Sequence, residues 1–458
     1  MTKLTFMGAA RTVTGSKYLL EAKGQKILID CGLFQGLKEL RLRNWDPLPV
    51  HPADISAAVL THAHLDHTGY LPRLVADGYH GRVLCTAGTA DLCKLVLPDS
   101  ARLQEEDARE ANRHSYSKHN PALPLYRESD AFRALSQLQP VAFNKPMSLV
   151  HGIGLEFVNA GHLLGSAFIK MTIADGPTVL FGGDLGRYSR PVLPDPSAPP
   201  ETDVLILEST YGDRIHEPDD QGARLAAIIK DTVANGGKVI IPAFAIGRVE
   251  EVLYWIKRLE DEGTIPKLPV FLDSPMAVEA LRYYASRANE LDEDVRSADE
   301  IRRFFTARFQ PVSSAQQSSD LVRSKIPSIV VSSSGMATGG RVLYHLAAAL
   351  PHKRNTVLFV GYQAAGTRGR QLVDGAREVK IRGQFVSVNA RVERLDSMSA
   401  HADSQETMRW LGGFKTQPRI TYLVHGEPGP MDALKATIAS QLKWKVHAPA
   451  HLEQVELS

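Results

Sequence analysis

The stretch THAHLDHTG, residues 61–69, decides how this sequence is interpreted, and it follows directly on the apolar run AAVL. His62, His64, Asp66 and His67 place three imidazoles and a carboxylate within six residues at the predicted end of a strand. Such a density of polar ligand groups suits a metal site better than a core, and zinc is favoured, with manganese or iron as competitors. A loop this short cannot easily give all four side chains to one ion. We therefore expect two ions, one on His62 and His64 and the other on Asp66 and His67.

Further ligand-type residues follow other apolar runs. His162 comes after LEFV, Asp184 after TVLF and His425 after ITYLV, each beside a glycine that lets backbone approach closely. Alone, each histidine would more often be a surface or core residue, but the shared context predicts metal ligands. Asp184, as a carboxylate, is the best candidate to bridge both ions.

Length and composition exclude several classes of protein. The chain has 458 residues, a formal net charge of +2 and three cysteines without paired spacing, which predicts two to four domains and neither a disulfide framework nor a cysteine zinc site. No apolar run is long enough to span a membrane, and the N-terminus carries no export pattern. We therefore expect a cytoplasmic protein.

The pattern of elements changes along the chain. The first 210 residues contain short β-branched runs, with hairpins predicted at Gly24 and Gly176 and helices near 88–112 and 129–138. From 211 a strand-then-helix unit recurs, which is typical of a parallel sheet covered by helices. We predict a mixed α/β host of residues 1–210 and 386–458, with an inserted domain at 211–385.

Together these motifs resemble the β-CASP branch of the metallo-β-lactamase superfamily, RNA- and DNA-processing nucleases that include the mRNA 3′-end cleavage endonuclease. The bacterial stand-alone members are the most similar. The resemblance covers essentially the whole chain and implies an α/β fold, a metallo-β-lactamase αββα sandwich with an inserted β-CASP domain. It also implies that Asp30 positions a metal ligand without binding metal itself, and that Glu208 orients His401 of the SAHAD segment. The metal ligands it implies are His62, His64, Asp66, His67, His162, Asp184 and His425.

A serine-rich turn in the inserted domain points to phosphate. Ser332, Ser333, Ser334 and Gly335 precede a helical pattern and resemble the phosphate-holding SSSGM element of that family, although such a turn alone fits a plain loop equally well. The resemblance extends to Arg248, Arg368 and Arg370 as RNA contacts, each of which could instead be a solvated helix-cap residue.

Charge is distributed unevenly along the inserted domain. Residues 321–385 hold ten Lys or Arg against two acids, whereas residues 211–320 hold 14 basic and 19 acidic residues. A basic stretch around the serine turn is the pattern expected of a polyanion site. Dispersal over solvated helix faces remains the alternative.

The resulting hypothesis is a ribonuclease with two Zn²⁺ ions, replaceable by Mn²⁺, that hydrolyses single-stranded RNA lying between the domains. Asp66 would orient the attacking water, and His401 with Glu208 would act at the phosphate or the departing oxygen. The family implies 5′-phosphate and 3′-hydroxyl ends and makes a homodimer plausible. Single-stranded DNA as substrate, a thioesterase or lactonase of the superfamily, and an inactive RNA-binding scaffold subunit are the alternatives.

Overall fold

The computed structural model describes residues 2–114, 117–217, 220–296 and 304–457. The chain forms two compact units. The first unit comprises residues 1–189, 195–215 and 401–458, and the second comprises 190–194 and 216–400. Within the described ranges, no helix combines the length and apolar character that crossing a bilayer requires.

The first unit contains two seven-stranded sheets. In the first sheet the order is β22-β1-β2-β3-β4-β5-β6, antiparallel at one end and parallel from β3 onward. Its strands are β1 (Thr2–Phe6), β2 (Tyr18–Ala22), β3 (Gln25–Ile29), β4 (Ala57–Val59), β5 (Arg82–Thr86), β6 (Leu138–Val141) and β22 (Gln454–Leu457).

The second sheet of this unit has the order β21-β20-β11-β10-β9-β8-β7, with its parallel strands grouped at the β21 end. Its strands are β7 (Met147–Val150), β8 (Ile153–Asn159), β9 (Ala167–Ile173), β10 (Thr178–Phe181), β11 (Val204–Glu208), β20 (Ile420–Val424) and β21 (Val446–His447). The predicted hairpins at Gly24 and Gly176 are present as β2–β3 and β9–β10.

Alternating side chains of the two sheets meet in one core, in which Phe6 and Ile29 of the first sheet pack with Phe157 and Phe181 of the second. Helices cover the outer faces, and Trp410 and Leu434 pack on the second sheet. The predicted αββα sandwich is therefore confirmed. Its helices are α1 (Lys38–Leu42), α2 (Leu65–Thr68), α3 (Leu71–Ala76), α4 (Ala87–His114), α5 (Glu128–Leu135), α12 (Ser404–Leu411) and α13 (Pro428–Gln441).

The second unit is built on a six-stranded parallel sheet of order β14-β13-β15-β12-β16-β19. The strands are β12 (Val239–Pro242), β13 (Val270–Asp273), β14 (Phe309–Pro311), β15 (Ile329–Ser332), β16 (Thr356–Phe359) and β19 (Arg391–Arg394). The helices are α6 (Ala223–Ala234), α7 (Val249–Asp261), α8 (Pro275–Ser286), α9 (Ala315–Arg323), α10 (Val342–Ala349) and α11 (Arg368–Val373). An antiparallel hairpin, β17 (Glu378–Ile381) with β18 (Gln384–Ser387), lies beside this sheet's core.

The strand-and-helix alternation predicted for the inserted domain is thus observed, but its main segment runs from 216 to 400, so it begins slightly after the expected limit of 211 and ends well after 385. The chain passes between units near 215 and 400, and residues 190–194 also belong to the second unit. The difference at the later limit comes from β19, which pairs in parallel with β16 of the second unit. A strand sequence of this kind carries no signal for which sheet it joins.

Candidate metal centre

The segment 61–69 is held in place by the residues just after β3. The Asp30 carboxylate accepts hydrogen bonds from the Thr61 backbone N–H at 2.7 Å and from its hydroxyl at 2.8 Å. The next residues pack against α2, where the Cys31 N–H donates to the carbonyl of His67 at 2.7 Å. A Cβ on Gly32 would lie 1.6 Å from the Asp66 carbonyl oxygen, so this close approach requires glycine.

Four side chains form a first donor group, in which His162 and Asp184 join the predicted pair His62 and His64. His64 Nδ1 lies 3.1 Å from His62 Nε2 and 3.3 Å from His162 Nε2. Asp184 Oδ2 lies 3.4 Å from the Nε2 atoms of both His62 and His162. Ligands at about 2.0–2.2 Å from a tetrahedral zinc are about 3.3–3.6 Å from one another. The group therefore has a composition and a spacing, 3.1–3.4 Å, close to those of a tetrahedral metal site.

A second donor group contains Asp66, His67 and His425. His425 Nε2 lies 3.3 Å from Asp66 Oδ2, and His67 Nε2 lies 3.2 Å from Asp184 Oδ1. The two oxygens of Asp184 thus face different groups, Oδ2 the first and Oδ1 the second. Oδ1 is buried and makes no hydrogen bond in the described structure, which fits a lone pair reserved for a cation.

The other three donors stand just beyond strands of the second sheet. His162 follows β8, Asp184 follows β10 and His425 follows β20. Gly183 has a φ of 52°, and a Cβ there would lie 2.8 Å from the Thr61 Cβ, so glycine brings Asp184 against the first histidine segment. His425 itself has a φ of 47°, in the left-handed region.

Burial sets the protonation of the first group. It lowers the pKa of His62 to about 3 and the pKa of His64 to about 4, and it holds the pKa of His162 well below its usual value. These imidazoles are therefore neutral at physiological pH, which is the form that binds a metal.

The second group lies in a more negative environment. Burial opposes a charge on His67, but the carboxylates of Asp184 and Asp30 raise its pKa well above the usual value. Burial would raise the pKa of Asp66, yet the hydrogen bond from His425 and the charge of His67 lower it. The carboxylates at this position therefore favour a positive charge between them, whether a proton or a metal cation supplies it.

Side chains behind the donors fix which nitrogen each histidine presents. His67 Nδ1 lies 2.7 Å from Asp30, so its Nε2 faces Asp184, and Asp30 occupies the orienting position that the family resemblance implied. The Thr210 hydroxyl donates a hydrogen bond to Glu208 at 2.5 Å and can accept one from His425 Nδ1 at 3.0 Å. His425 Nε2 is then the ring nitrogen that would bind a metal. Sequence reasoning did not identify Thr210, although it lies only two residues after Glu208.

His401 lies next to both donor groups. Its Nδ1 is 3.0 and 3.1 Å from the two oxygens of Glu208 and 3.8 Å from Asp184 Oδ2. The backbone of His401 forms an isolated bridge with Gly186, which carries the SAHAD segment to this edge. Burial opposes the charged form, but Glu208 outweighs it and raises the pKa of His401 to about 9. The structure thus places His401 and Glu208 together, as predicted.

In the second unit the serine turn follows β15, and its hydroxyls contact the protein. Ser332 Oγ donates to the Asp273 carbonyl at 2.9 Å, and Ser333 Oγ donates to Ser274 Oγ at 2.9 Å. Ser334 Oγ accepts from the Thr338 N–H at 3.0 Å. A Cβ on Gly335 would lie 2.8 Å from the Phe244 backbone nitrogen, so the turn needs glycine there. Phosphate binding by this turn stays a prediction.

Asp273 lies beneath that turn and is fully buried. Its carboxylate accepts from Ser318 at 2.5 Å and from Arg341 at 2.8 Å, and it lies 2.7 Å from His345 Nε2. His345 has neither a flanking glycine nor a preceding strand in the sequence, so nothing there predicts a role for it. No local pattern could have found this network, because its members come from three separate segments.

The three arginines predicted as RNA contacts differ in their surroundings. Arg248 is buried and pairs with Glu251 at 2.6 Å, and Arg370 pairs with Asp374 at 2.8 Å. Arg368 donates to the carbonyl of Lys380 at 2.7 Å and to the carbonyl of Ala337. Arg368 therefore contacts the loop that carries the serine turn, and RNA contact by all three arginines stays a prediction.

Three family models match this chain. Residues 11–234 match the metallo-beta-lactamase superfamily, 249–372 the Beta-Casp domain, and 386–449 the Zn-dependent metallo-hydrolase RNA specificity domain. With the sandwich and the two donor groups, these matches define the class as a metallo-hydrolase.

Relatives with assigned names indicate which kind of metallo-hydrolase this chain resembles. The chain is 38% identical to ribonuclease TTHA0252 of Thermus thermophilus, over 94% of this chain and 95% of that protein. It is 32% identical to transcription termination factor FttA of Methanosarcina mazei, over 99% of this chain and 71% of that protein. The chain belongs to the β-CASP family of RNA-processing nucleases within the metallo-β-lactamase superfamily.

A solved structure of similar fold is a protein of unknown function from Enterococcus faecalis, with a TM-score of 0.54, 15% identity and 99% coverage of both chains. At that identity the likeness concerns the fold alone. None of these names mentions DNA or a dimer, so both stay predictions.

Proposed function

We propose that this chain is a metal-dependent ribonuclease that hydrolyses phosphodiester bonds of single-stranded RNA at a centre for two zinc ions, leaving 5′-phosphate and 3′-hydroxyl ends. The observation that carries the proposal is the pair of donor groups that share Asp184, each of whose oxygens faces one group. Mn²⁺ could substitute for zinc, because imidazole and carboxylate ligands also accept it.

The residues divide between two ions. His62, His64 and His162 would hold one ion and Asp66, His67 and His425 the other. Asp184 would contribute to both, because its Oδ2 faces His62 and His162 and its Oδ1 faces His67. When bound, two such ions polarise a phosphoryl oxygen and lower the pKa of a water molecule to near neutrality. Asp30, held against His67 Nδ1, would maintain the ring in the orientation for binding.

Two side chains of this protein would handle protons. Asp66 would orient the attacking water in line with the departing oxygen. His401 is held by both oxygens of Glu208 through Nδ1, so its other ring nitrogen would face the phosphate. From there it would stabilise charge on a non-bridging oxygen or protonate the departing 3′ oxygen.

RNA as the substrate is supported by several features of the chain. Residues 386–449 match the family model of an RNA specificity domain, and one relative is named a ribonuclease. The second unit carries the basic stretch 321–385 around the serine turn. A thioesterase or lactonase would need neither the inserted unit nor the His401–Glu208 pair. An inactive scaffold would have no use for seven donors.

The test incubates the metal-loaded full-length protein with single-stranded RNA and DNA labelled at either end, and with a thioester and a lactone. His67→Ala removes one donor, and His80→Ala is the matched control, since His80 is an exposed histidine of the same unit. We expect RNA cleavage by the wild type and by His80→Ala, with activity and about one equivalent of zinc lost in His67→Ala. Ligation and tailing of the products identify their ends.

Two results would overturn the proposal. One is intact RNA alongside hydrolysis of the thioester or lactone, which would indicate a small-molecule hydrolase. The other is RNA binding without any hydrolysis by fully metal-loaded protein, which would indicate a scaffold. Cleavage of DNA at the same rate would widen the substrate class to single-stranded nucleic acid.

A further inference from the structure

The hairpin of β17 and β18 presents one apolar and one polar face. Val379 and Ile381 are buried in the core of the second unit. On the opposite face Lys380 pairs across the strands with Phe385, and the Lys380 ammonium lies 5.9 Å from the Phe385 ring centroid. Phe385 is 68% exposed, the largest exposed fraction among the described large hydrophobic residues. The outer face therefore combines a solvent-facing ring with a cation.

A second aromatic ring stands at the tip of this hairpin. The Arg382 guanidinium lies 4.5 Å from the centroid of the Tyr344 ring and donates to the Tyr344 hydroxyl. Tyr344 projects from α10, whose residues Val342 and His345 are buried, and it keeps 46% of its surface exposed. One exposed ring with a cation thus lies on the hairpin, and a second lies in contact with its tip.

This surface is tied to the serine turn. Arg368 donates to the Lys380 carbonyl of the hairpin and to the Ala337 carbonyl just after the turn. The Val342 N–H at the start of α10 donates to the Ser333 carbonyl at 3.2 Å. The hairpin, α10 and the serine turn are therefore joined by direct hydrogen bonds within the second unit.

Charge and ring chemistry together indicate what this surface binds. Single strands of nucleic acid bind to proteins through cations that follow the phosphates and aromatic rings on which bases stack. The hairpin belongs to the basic stretch 321–385, although Glu378 lies on the same outer face as Lys380. A surface for an apolar protein partner would not require a cation at each ring.

We propose that Tyr344, Lys380, Arg382 and Phe385 form a base-stacking subsite for single-stranded RNA. The subsite would hold unpaired nucleotides on the rings of Tyr344 and Phe385, with Lys380 and Arg382 on the neighbouring phosphates. It rests on the proposed ribonuclease function, and it places part of the affinity for RNA in the second unit, apart from the metal donors.

The test measures binding of a fluorescein-labelled single-stranded RNA by anisotropy, in the full-length His67→Ala background to prevent cleavage. Phe385→Ala and Tyr344→Ala should each weaken binding by about 5- to 150-fold, the range that stacking of one base contributes. Tyr344→Phe should retain most of the affinity because it keeps the ring. Phe132→Ala is the matched control, since Phe132 is 56% exposed on α5 of the first unit, near Glu128 and Asp130.

A spectroscopic signature separates stacking from a structural effect. RNA that contains 2-aminopurine should lose fluorescence when it stacks on the wild-type surface, and Phe385→Ala should abolish that quenching without shifting the melting temperature. Lys380→Ala and Arg382→Ala should each reduce the slope of log affinity against log salt by about one.

The possible failures are distinguishable. If otherwise wild-type protein cleaves RNA but Phe385→Ala and Tyr344→Ala leave both affinity and quenching unchanged, the subsite is refuted and the ribonuclease proposal stands. If the wild type cleaves no RNA but Phe385→Ala and Tyr344→Ala still weaken binding and abolish quenching, the proposed function fails while the stacking subsite stands as a binding site. If Phe385→Ala instead dissociates a dimer in sedimentation velocity, the surface is a subunit interface and the proposal is wrong.

Discussion

Replacing Glu208 by Gln tests the role of His401 with the smallest change in shape. The Glu208 carboxylate accepts hydrogen bonds from the Leu185 N–H at 2.6 Å and from the Thr210 hydroxyl at 2.5 Å. Both of its oxygens also face His401 Nδ1. The amide oxygen of Gln can keep the bond from Leu185. Its NH₂ group would then face both Thr210 and His401, and it cannot accept a proton from His401 Nδ1.

The expected fall in kcat follows from the contribution of the His401–Glu208 pair to the rate of RNA cleavage. Without the carboxylate, His401 loses its anionic partner and keeps only a neutral amide oxygen, at the Oε1 position, as acceptor for Nδ1. A positioned acid contributes about 10²- to 10⁴-fold to a rate, so kcat for RNA cleavage should fall by a factor in that range while KM changes little. Saturating zinc compensates for any weakening of the His425 donor through Thr210.

The assay compares kcat and bound zinc for the wild type, Glu208→Gln, His401→Ala and the double variant. Glu201→Gln is the control, because Glu201 is an exposed carboxylate that accepts from the N–H groups of Lys415 and Thr416. The double variant should be no slower than His401→Ala, since both changes remove one unit. Additive losses, or an unchanged kcat in Glu208→Gln, would refute the pairing.

Three further variants test other parts of the structure. Asp30→Asn should weaken zinc binding by about 10- to 100-fold, measured by competition with a chelator, and unchanged affinity would deny its orienting role. Asp273→Asn removes the buried partner of Arg341 and should lower the free energy of unfolding by about 3–5 kcal/mol, whereas Asp374→Asn in an exposed pair should cost about 1 kcal/mol or less. Burial raises the pKa of Glu250 to about 8, so its stabilising contribution is full at low pH and falls as pH rises towards 8. Relative to wild type, Glu250→Gln should therefore gain about 3 kcal/mol in unfolding free energy between pH 5 and pH 8, and no relative gain would contradict that burial.

Sequence reasoning located the donor residues because their signal is local. A histidine or aspartate beside glycine, just after an apolar strand, can be recognised within about ten residues. The structure brings His162, Asp184 and His425 to the segment that holds His62 and His67. The hairpins at Gly24 and Gly176 were predictable for the same reason, since each depends on a single turn.

Other features depend on pairings distant in the chain and left no such signal. Asp273 meets His345 across 72 residues, and the sequence around His345 resembles any buried helix. The register of β19 against β16, rather than any property of β19, places residues 391–394 in the second unit. The hydroxyls of Ser332 and Ser333 bond to residues 273 and 274, which no inspection of the SSSGM segment could have shown.

The most direct test of a two-ion ribonuclease is a zinc titration of RNA cleavage by metal-stripped protein. Because Asp184 faces two donor groups, cleavage should stay low up to about one equivalent of zinc and reach its plateau at about two. Full activity at one equivalent, or activity that does not depend on added metal, would contradict the account.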